Sequence, residues 1–299
     1  MTDTDICMFR GGSDFRPDFR KCGSIRSILT KTPCLGLSAT VNQRTLCDVA
    51  EVLHIRLTDV TIVAYPPDRP NVFLGIRKAS AISVDLIWLA DMLQNRQRQC
   101  PKTIVFARSI NDVSEIYGWL ASHLQQLAFV GGCRLVSMFH GHISRDLLEY
   151  TLAEFRKPDS TIRVIVSTVA FGMGVEIADV RQVIHWGKLS SVMTYWQEVG
   201  RGGRDGQPAR ATWYVKSAVG GDVHDQEVFG RLKSASMCLR RVLLDSFVVD
   251  GMDTSSLDEL SRRQQCDRPS RCVSDQCDCV LCVCCTYCRQ QCHCRSASS

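Results

Sequence analysis

The run Thr103-Ile104-Val105-Phe106-Ala107-Arg108-Ser109 reads in two halves. Five β-branched or apolar residues in a row are too short for a buried helix and suit a strand covered on both faces. Ser109, directly after them, is placed to open a helix whose first N–H groups can meet an anion. The same signature recurs at Leu135–Phe139, Arg163–Thr168, Gln182–Trp186 and Ala211–Val215. Helical patterns lie between these runs. In Ser144–Phe155, Leu148, Leu152 and Phe155 share one face, and Ser144 stands where an N-cap belongs. In Ser191–Gly200, apolar residues again repeat at helical spacing and Gly200 marks the stop. Strands alternating with helices predict an α/β domain, a parallel sheet with helices on both faces, with functional loops gathered at its carboxyl edge.

Working outward, the flanks read differently. Residues 1–72 hold one apolar run, Pro33–Leu37, and a helical stretch near Leu46–Leu53, too little to close a sheet, so this part reads as the edge of another domain and a linker. Residues 73–217 form the α/β lobe. In residues 218–299, Arg231–Phe247 predicts one amphipathic helix, Asp250–Gln265 is polar and linker-like, and a cysteine-rich tail follows. The balance of 36 basic against 31 acidic residues, +5, permits a nucleic-acid partner without requiring one. No run of about 18 apolar residues offers a membrane span. The opening MTDTDICMFR lacks the apolar core of a secretory signal, so the expectation is a protein that is neither membrane-bound nor secreted.

Two strings carry chemistry. In Gln197-Glu198-Val199-Gly200-Arg201-Gly202-Gly203-Arg204-Asp205-Gly206, two arginines three positions apart sit in a glycine-rich turn after a helix. Guanidinium is permanently charged and matches phosphate oxygens in bidentate fashion, and glycine lets backbone approach an anion. The expectation is that both guanidinium groups protrude from the sheet edge. A solvated turn whose arginines pair with nearby acids is the competing reading. In Phe171-Gly172-Met173-Gly174-Val175, after a strand ending at Ser167-Thr168, glycines free N–H groups for a phosphate backbone and Thr168 adds a hydroxyl. His140, in Phe139-His140-Gly141-His142, reads as a strand-end histidine without an acid–base role.

Of 17 cysteines, ten lie in the last 34 residues. Disulfides, a thiolate sponge and a structural zinc site are the three readings. Cys285-x-x-Cys288 has the spacing of a zinc knuckle, which needs two further ligands. The scattered Cys7, Cys22, Cys34, Cys47, Cys100 and Cys133 read as small buried hydrophobes.

In order, Ser38-Ala39-Thr40, TIVFARS, FHGHISR, STVAFGMGV and QEVGRGGRDG resemble successive motifs of superfamily-2 helicases, and more closely those of RecQ-family DNA helicases. Asp14-Phe15-Arg16-Pro17-Asp18-Phe19-Arg20 is similar to the segment after that family's DEAH box, Asp68-Arg69-Pro70-Asn71 to its link between lobes, and Cys238-Leu239-Arg240-Arg241 to the start of its zinc-binding helices. The resemblance implies a RecA-like lobe followed by a small helical, cysteine-rich zinc-binding subdomain. It implies ATP- and Mg-driven 3′-to-5′ unwinding of DNA, on single strands and forked duplexes, in a nucleus or a prokaryotic cytoplasm. Arg204 becomes the arginine finger, Arg201 a second phosphate contact and Gln197 a coupling residue. Ser38, Thr40, Gly174 and Glu176 link nucleotide to nucleic acid, and Ser109, His140, Thr168, Phe15 and Arg16 grip DNA. Zinc falls to Cys238, Cys285, Cys288 and Cys277, with Cys279, Cys282 and Cys292 as rivals to Cys277.

The departures are specific. No G-x-x-x-x-G-K-[ST] occurs, no Asp-Glu pair precedes Asp14 in the place that would hold Mg²⁺, and no tryptophan stands near Gly11. Glu176 stands where the family has Asp or Asn. The leading expectation is a helicase fragment or degenerate copy without its ATP-binding lobe. A non-catalytic DNA-binding or regulatory remnant and a zinc-dependent interaction module are the alternatives.

Overall fold

The computed structural model describes residues 22–29, 31–124, 129–130, 133–168, 176–216, 220–262 and 279–292. These fall into two units, one from residues 1–68 with 243–262 and one from 69–242 with 263–299.

The smaller unit contains helices α1 (Cys22–Ile28) and α2 (Gln43–Val52). Asn42 caps α2 by accepting the Thr45 N–H at 2.8 Å. Gln43 holds the later segment with a two-way amide contact. Its Nε2 donates to Asp250 Oδ2 at 2.7 Å and its Oε1 accepts the Asp250 N–H at 2.9 Å. The apolar run Pro33–Leu37 forms no strand: the stretch is irregular, with Leu35 and Leu37 exposed. Cys34 and Cys47 are exposed too, rather than buried.

The larger unit is built on β1 (Val72–Lys78), β2 (Lys102–Ala107), β5 (Val136–Phe139), β6 (Val164–Ser167), β7 (Val180–Trp186) and β8 (Ala209–Val215), in the order β1-β8-β7-β2-β6-β5. Every neighbouring pair is parallel. A two-residue ladder, β3 (Phe129–Val130) with β4 (Cys133–Arg134), stands apart. All five expected strands form. The added one, β1, is an edge strand.

Alternation along the strands sorts the two faces. Val105, Val166 and Ile184 join one core with Leu86, at the junction of α3 (Ile82–Asp85) and α4 (Ile87–Arg96), with Leu89 and Leu93 of α4, and with Val113, Ile116 and Leu120 of α5 (Ile110–Leu124). Their sequence neighbours Phe106 and His185 turn the other way. There an aromatic chain runs from Phe106 through His185, Tyr195 and Trp213 to Phe229. This second face is covered by α6 (Arg145–Arg156), α7 (Val192–Val199) and α8 (Val223–Ser234), so both faces are dry, as a parallel sheet requires. The charged Lys102 at the start of central β2 is satisfied by Lys157 O and Asp179 Oδ1, each at 2.8 Å.

The single helix expected over Arg231–Phe247 is two. α8 ends at Ala235, which adopts left-handed backbone (φ 44°), and α9 (Leu239–Asp245) starts after Cys238. The polar stretch after Asp250 folds in part as α10 (Ser255–Arg262), and α11 (Thr286–Gln291) lies within the tail. No described helix is long and apolar enough to cross a membrane.

Buried Asp225 joins two helices. Its Oδ1 accepts the Val192 N–H that opens α7 at 2.9 Å, and it completes the capping box of α8 with Asp222. Asp225→Ala leaves buried donors without acceptors and is expected to lower the unfolding free energy by about 1–3 kcal/mol, read from urea midpoints at constant slope.

Candidate functional site

The carboxyl edge brings three expected nucleic-acid contacts together. Thr168 and His140 directly follow β6 and β5, and Ser109 lies two residues past β2, three adjacent strands. Ser109 caps α5: its Oγ accepts the Asp112 N–H at 3.1 Å and donates to Asp112 Oδ2 at 2.6 Å. Thr168 N–H donates to Phe139 O at 3.2 Å, beside Ser167 Oγ on the same carbonyl at 2.8 Å. Burial, and then neighbouring His142, hold His140 below the usual imidazole range, and its Nδ1 accepts the His142 N–H at 3.4 Å.

Beside them, at the ends of β2 and β7, a shallow hollow is lined by Phe106, Arg108, Trp186 and Lys188. Beneath it His185 Nε2 lies 3.0 Å from Glu198 Oε2, both groups buried. Tyr195 packs edge-on against His185, and burial together with the Glu198 charge raises its hydroxyl above the ordinary phenol range. Glu198 is part of the arginine-rich string yet had no assigned role. A carboxylate within the otherwise apolar helical repeat, between Gln197 and Val199, was its only signal in the sequence.

The arginine turn lies at the opposite edge, against expectation. α7 carries the chain back from the carboxyl edge, and Gly203 N–H donates to Val180 O at 2.8 Å, where β7 begins. Seven residues of β7 at about 3.3 Å each put roughly 20 Å between the two edges. The turn is held from outside. Arg69 donates through Nη2 to Gly203 O at 3.0 Å and Gly202 O at 3.2 Å, and through Nη1 to Gly200 O at 3.4 Å. Asn71 Nδ2 donates to Gly203 O at 2.8 Å and Gln207 O at 2.9 Å. Arg181 pairs with Asp205, its Nη1 at 3.0 Å from Oδ1, and this hydrogen bond keeps the Asp205 carboxyl below its usual range.

Within this frame the two arginines differ. Arg201, expected to protrude, is 8% exposed and belongs to the wall of the turn. Arg204 is half-buried, with Nε 3.4 Å from Gly200 O. Burial, and next the charge of Arg204, pull the Arg69 guanidinium below its ordinary value. Two like charges facing one another make a place that an anion would relieve. Gln197 is half-buried on α7.

A third feature is made of sulfur. Sγ atoms of Cys238, Cys284, Cys285 and Cys288 all lie within 4.8 Å of one another, with Cys238 and Cys284 at 3.7 Å. A tetrahedral zinc with Zn–S bonds of 2.3 Å needs sulfurs about 3.8 Å apart, so the four fit that ion. Contact with Cys284, Cys285 and Cys288 drives Cys238 far below the ordinary thiol range, and contact with Cys238 pushes Cys284 and Cys288 far above it. Four thiols this close cannot all ionise until a cation joins them. Among the described residues Cys284 completes the group; the fourth ligand expected from the sequence is Cys277. Cys277 lies outside the described residues, as do Phe15, Arg16 and Gly174. Glu176 is exposed. Ser38 and Thr40 belong to the smaller unit, where Ser38 Oγ donates to Thr40 O at 2.8 Å.

Residues 85–206 match the family model "Helicase conserved C-terminal domain". The chain is 32% identical over 217 residues to ATP-dependent DNA helicase Q-like 2 of Arabidopsis thaliana, covering 72% of this chain and 29% of that protein. It is 29% identical over 284 residues to the bifunctional 3'-5' exonuclease/ATP-dependent helicase WRN of Mus musculus, covering 89% of this chain and 19% of the relative. This chain carries the C-terminal lobe of a RecQ-family, superfamily-2 helicase. Its fold is shared with S. cerevisiae Dbp5 bound to RNA and ADP BeF3, at a TM-score of 0.53 and 18% identity, covering 86% of this chain and 60% of the other.

In this RecQ-family lobe, the scaffolding residues were the ones that sequence reasoning passed over. Arg69 and Asn71 stood in the string read only as a link, and their contacts lie more than a hundred residues away. Gly203 is where their grip is tightest. Its φ is +59°, and an added Cβ would come within 2.5 Å of Asn71 Nδ2 and of Gln207 O. Gly203→Ala is therefore expected to cost about 1–3 kcal/mol in thermal or urea unfolding, and reversing Asn71 to Ala in the same chain should recover part of that loss.

Proposed function

We propose that this lobe is the second half of the motor of an ATP-dependent 3′-to-5′ DNA helicase of RecQ type. The observation that carries the reading is the separation of its polar groups: a cationic, backbone-clamped turn at one sheet edge and strand-end hydroxyls and N–H groups at the other. Nucleotide phosphate and a nucleic-acid strand need such separate sites on one rigid body, so that closing on one moves the other.

At the amino edge, Arg204 is the group that reaches a γ-phosphate held with Mg²⁺ by a partner lobe. Arg201 shapes the turn, and Gln197 passes closure along α7. At the carboxyl edge, Ser109, Thr168 and His140 hold the strand backbone, and Arg108 and Lys188 add charge beside them. Ser38, Thr40, Gly174 and Glu176 take the coupling roles that the motif order implies. DNA rather than RNA follows from the names of the RecQ-type relatives, which also favour a nuclear setting for a eukaryotic chain. Zinc, held by Cys238, Cys284, Cys285 and Cys288, supplies structural cross-linking.

Two measurements test this. Joined behind a first lobe with a phosphate-binding loop, the chain should support DNA-stimulated ATP hydrolysis, and Arg204→Ala should lower kcat by about 10³–10⁵-fold with affinity for single-stranded DNA unchanged. The chain on its own has no G-x-x-x-x-G-K-[ST] run and should hydrolyse no ATP. Magnesium-dependent hydrolysis by the chain on its own, abolished by Arg204→Ala, contradicts the dependence on a partner lobe. For the metal, Cys284→Ser is expected to release one equivalent of zinc, counted by inductively coupled plasma mass spectrometry; unchanged zinc assigns the fourth ligand elsewhere.

A further inference from the structure

A second group of thiols lies in the tail. The Sγ atoms of Cys279, Cys282 and Cys292 are within 4.8 Å of one another, and all three residues are buried. Cys279 and Cys292 approach to 3.5 Å, and the Cys282 N–H points at Cys279 Sγ at 3.4 Å. We propose that these three cysteines form a second thiolate centre for a zinc ion, separate from the four-thiol group, with the fourth coordination position taken by a ligand outside the trio.

The backbone explains how two centres arise in so short a stretch. Val283 N–H donates to Cys279 O at 3.0 Å and Cys284 N–H to Leu281 O at 3.4 Å, a tight turn that groups Cys279 with Cys282 and leads directly to Cys284 and Cys285. Helix α11 then spaces the two groups. Cys285 is its N-cap and Cys288 lies in its first turn, whereas Cys292 is its C-cap. Cys288 and Cys292 lie four residues apart, a rise of about 6 Å, which places them in different groups.

Energetics favour metal over simple thiol packing. Seven residues between 279 and 292 are buried, and six of these are cysteines, with Leu281 the exception. A six-residue helix does not persist without tertiary support, and one leucine with thiols does not provide a hydrophobic core. Small units of this kind are held by metal or disulfide cross-links. Soft sulfur donors without carboxylates or histidine select zinc or copper(I) over hard cations, and closed-shell zinc tolerates the three-thiolate set without redox chemistry.

The test uses the full chain purified under reducing conditions. Native mass spectrometry and elemental analysis should give two zinc ions per chain. Cys279→Ser/Cys292→Ser should hold one, and Cys34→Ser/Cys47→Ser, exposed positions outside both groups, should hold two. Because the tail variant could unfold, cobalt(II) titration of the unmodified chain gives an independent count: charge-transfer absorption should saturate at two equivalents. One equivalent in the unmodified chain, two zinc ions retained by Cys279→Ser/Cys292→Ser, or a Cys279–Cys292 disulfide in the alkylated peptide map would overturn the proposal. Loss of zinc from Cys284→Ser reports on the four-thiol group, so failure of one centre is distinguishable from failure of the other.

Discussion

Arg240 is 2% exposed, and a guanidinium that deeply buried is tolerable only when its donors are used. Its Nη1 donates to Arg69 O at 2.8 Å, and its Nη2 donates to Val72 O and, at 3.4 Å, to Cys284 O. One planar cation therefore ties together the segment entering the sheet, the first residue of β1 and the sulfur loop. Lysine could not substitute, since a single ammonium cannot span three carbonyls in a fixed fork. The residue whose carbonyl Arg240 holds is the residue whose side chain clamps the arginine turn. The thiol group, Arg240, Arg69 and Gly200–Gly203 form one continuous set of contacts, and the position of Arg204 depends on all of it.

The parallel sheet imposes the rest of the geometry. Each strand must be followed by a crossover to the starting edge, so a helix such as α7 necessarily links the two edges. In this lobe α7 carries polar groups along its whole length. Ser191 caps its start, accepting the Thr194 N–H at 3.1 Å, Glu198 meets His185 under the hollow, and the arginine turn follows its end. A displacement of α7 would move the hollow and the turn together. In the proposed cycle this is the mechanical link between strand and nucleotide, and it needs no rearrangement within the sheet.

What the sequence made legible follows from local physics. Five strands were readable because strands of a parallel sheet covered on both faces appear as unbroken apolar runs, the edge strand β5 included. β1, at the other edge, was missed because Gly75 stands in its middle and Arg77-Lys78 at its end. The glycine has a packing reason, since a Cβ there would sit 3.1 Å from Thr212 Oγ1. The break at Ala235 was illegible because alanine rarely adopts φ of +44°. Motif order placed Ser109, Thr168 and His140 at one edge correctly, since each follows a readable strand. It could not place the arginine turn, whose edge depends on the length of α7, nor separate buried Arg201 from Arg204. Among the tail cysteines, spacing singled out Cys285 and Cys288, which lie together with Cys238 and Cys284. The nearness of Cys284 depends on docking against β1, a strand that the apolar pattern does not reveal.

That docking gives the sulfur centre a purpose beyond cross-linking. An edge strand presents unpaired N–H and C=O groups that can recruit another chain, and proteins protect such edges by covering them. Here Leu74 N–H donates to Cys284 O at 3.1 Å, Cys285 forms an isolated parallel bridge with Leu74, and Arg240 occupies Val72 O. The cysteine loop thus acts as a short seventh rung on the outer side of β1. It is too irregular to extend the sheet further. A loop with so little apolar content could not hold that position through hydrophobic burial, and the zinc proposed above, tying it to Cys238 just ahead of α9, would. The same metal that stiffens the tail would therefore also close the sheet and, through Arg240 and Arg69, support the arginine turn.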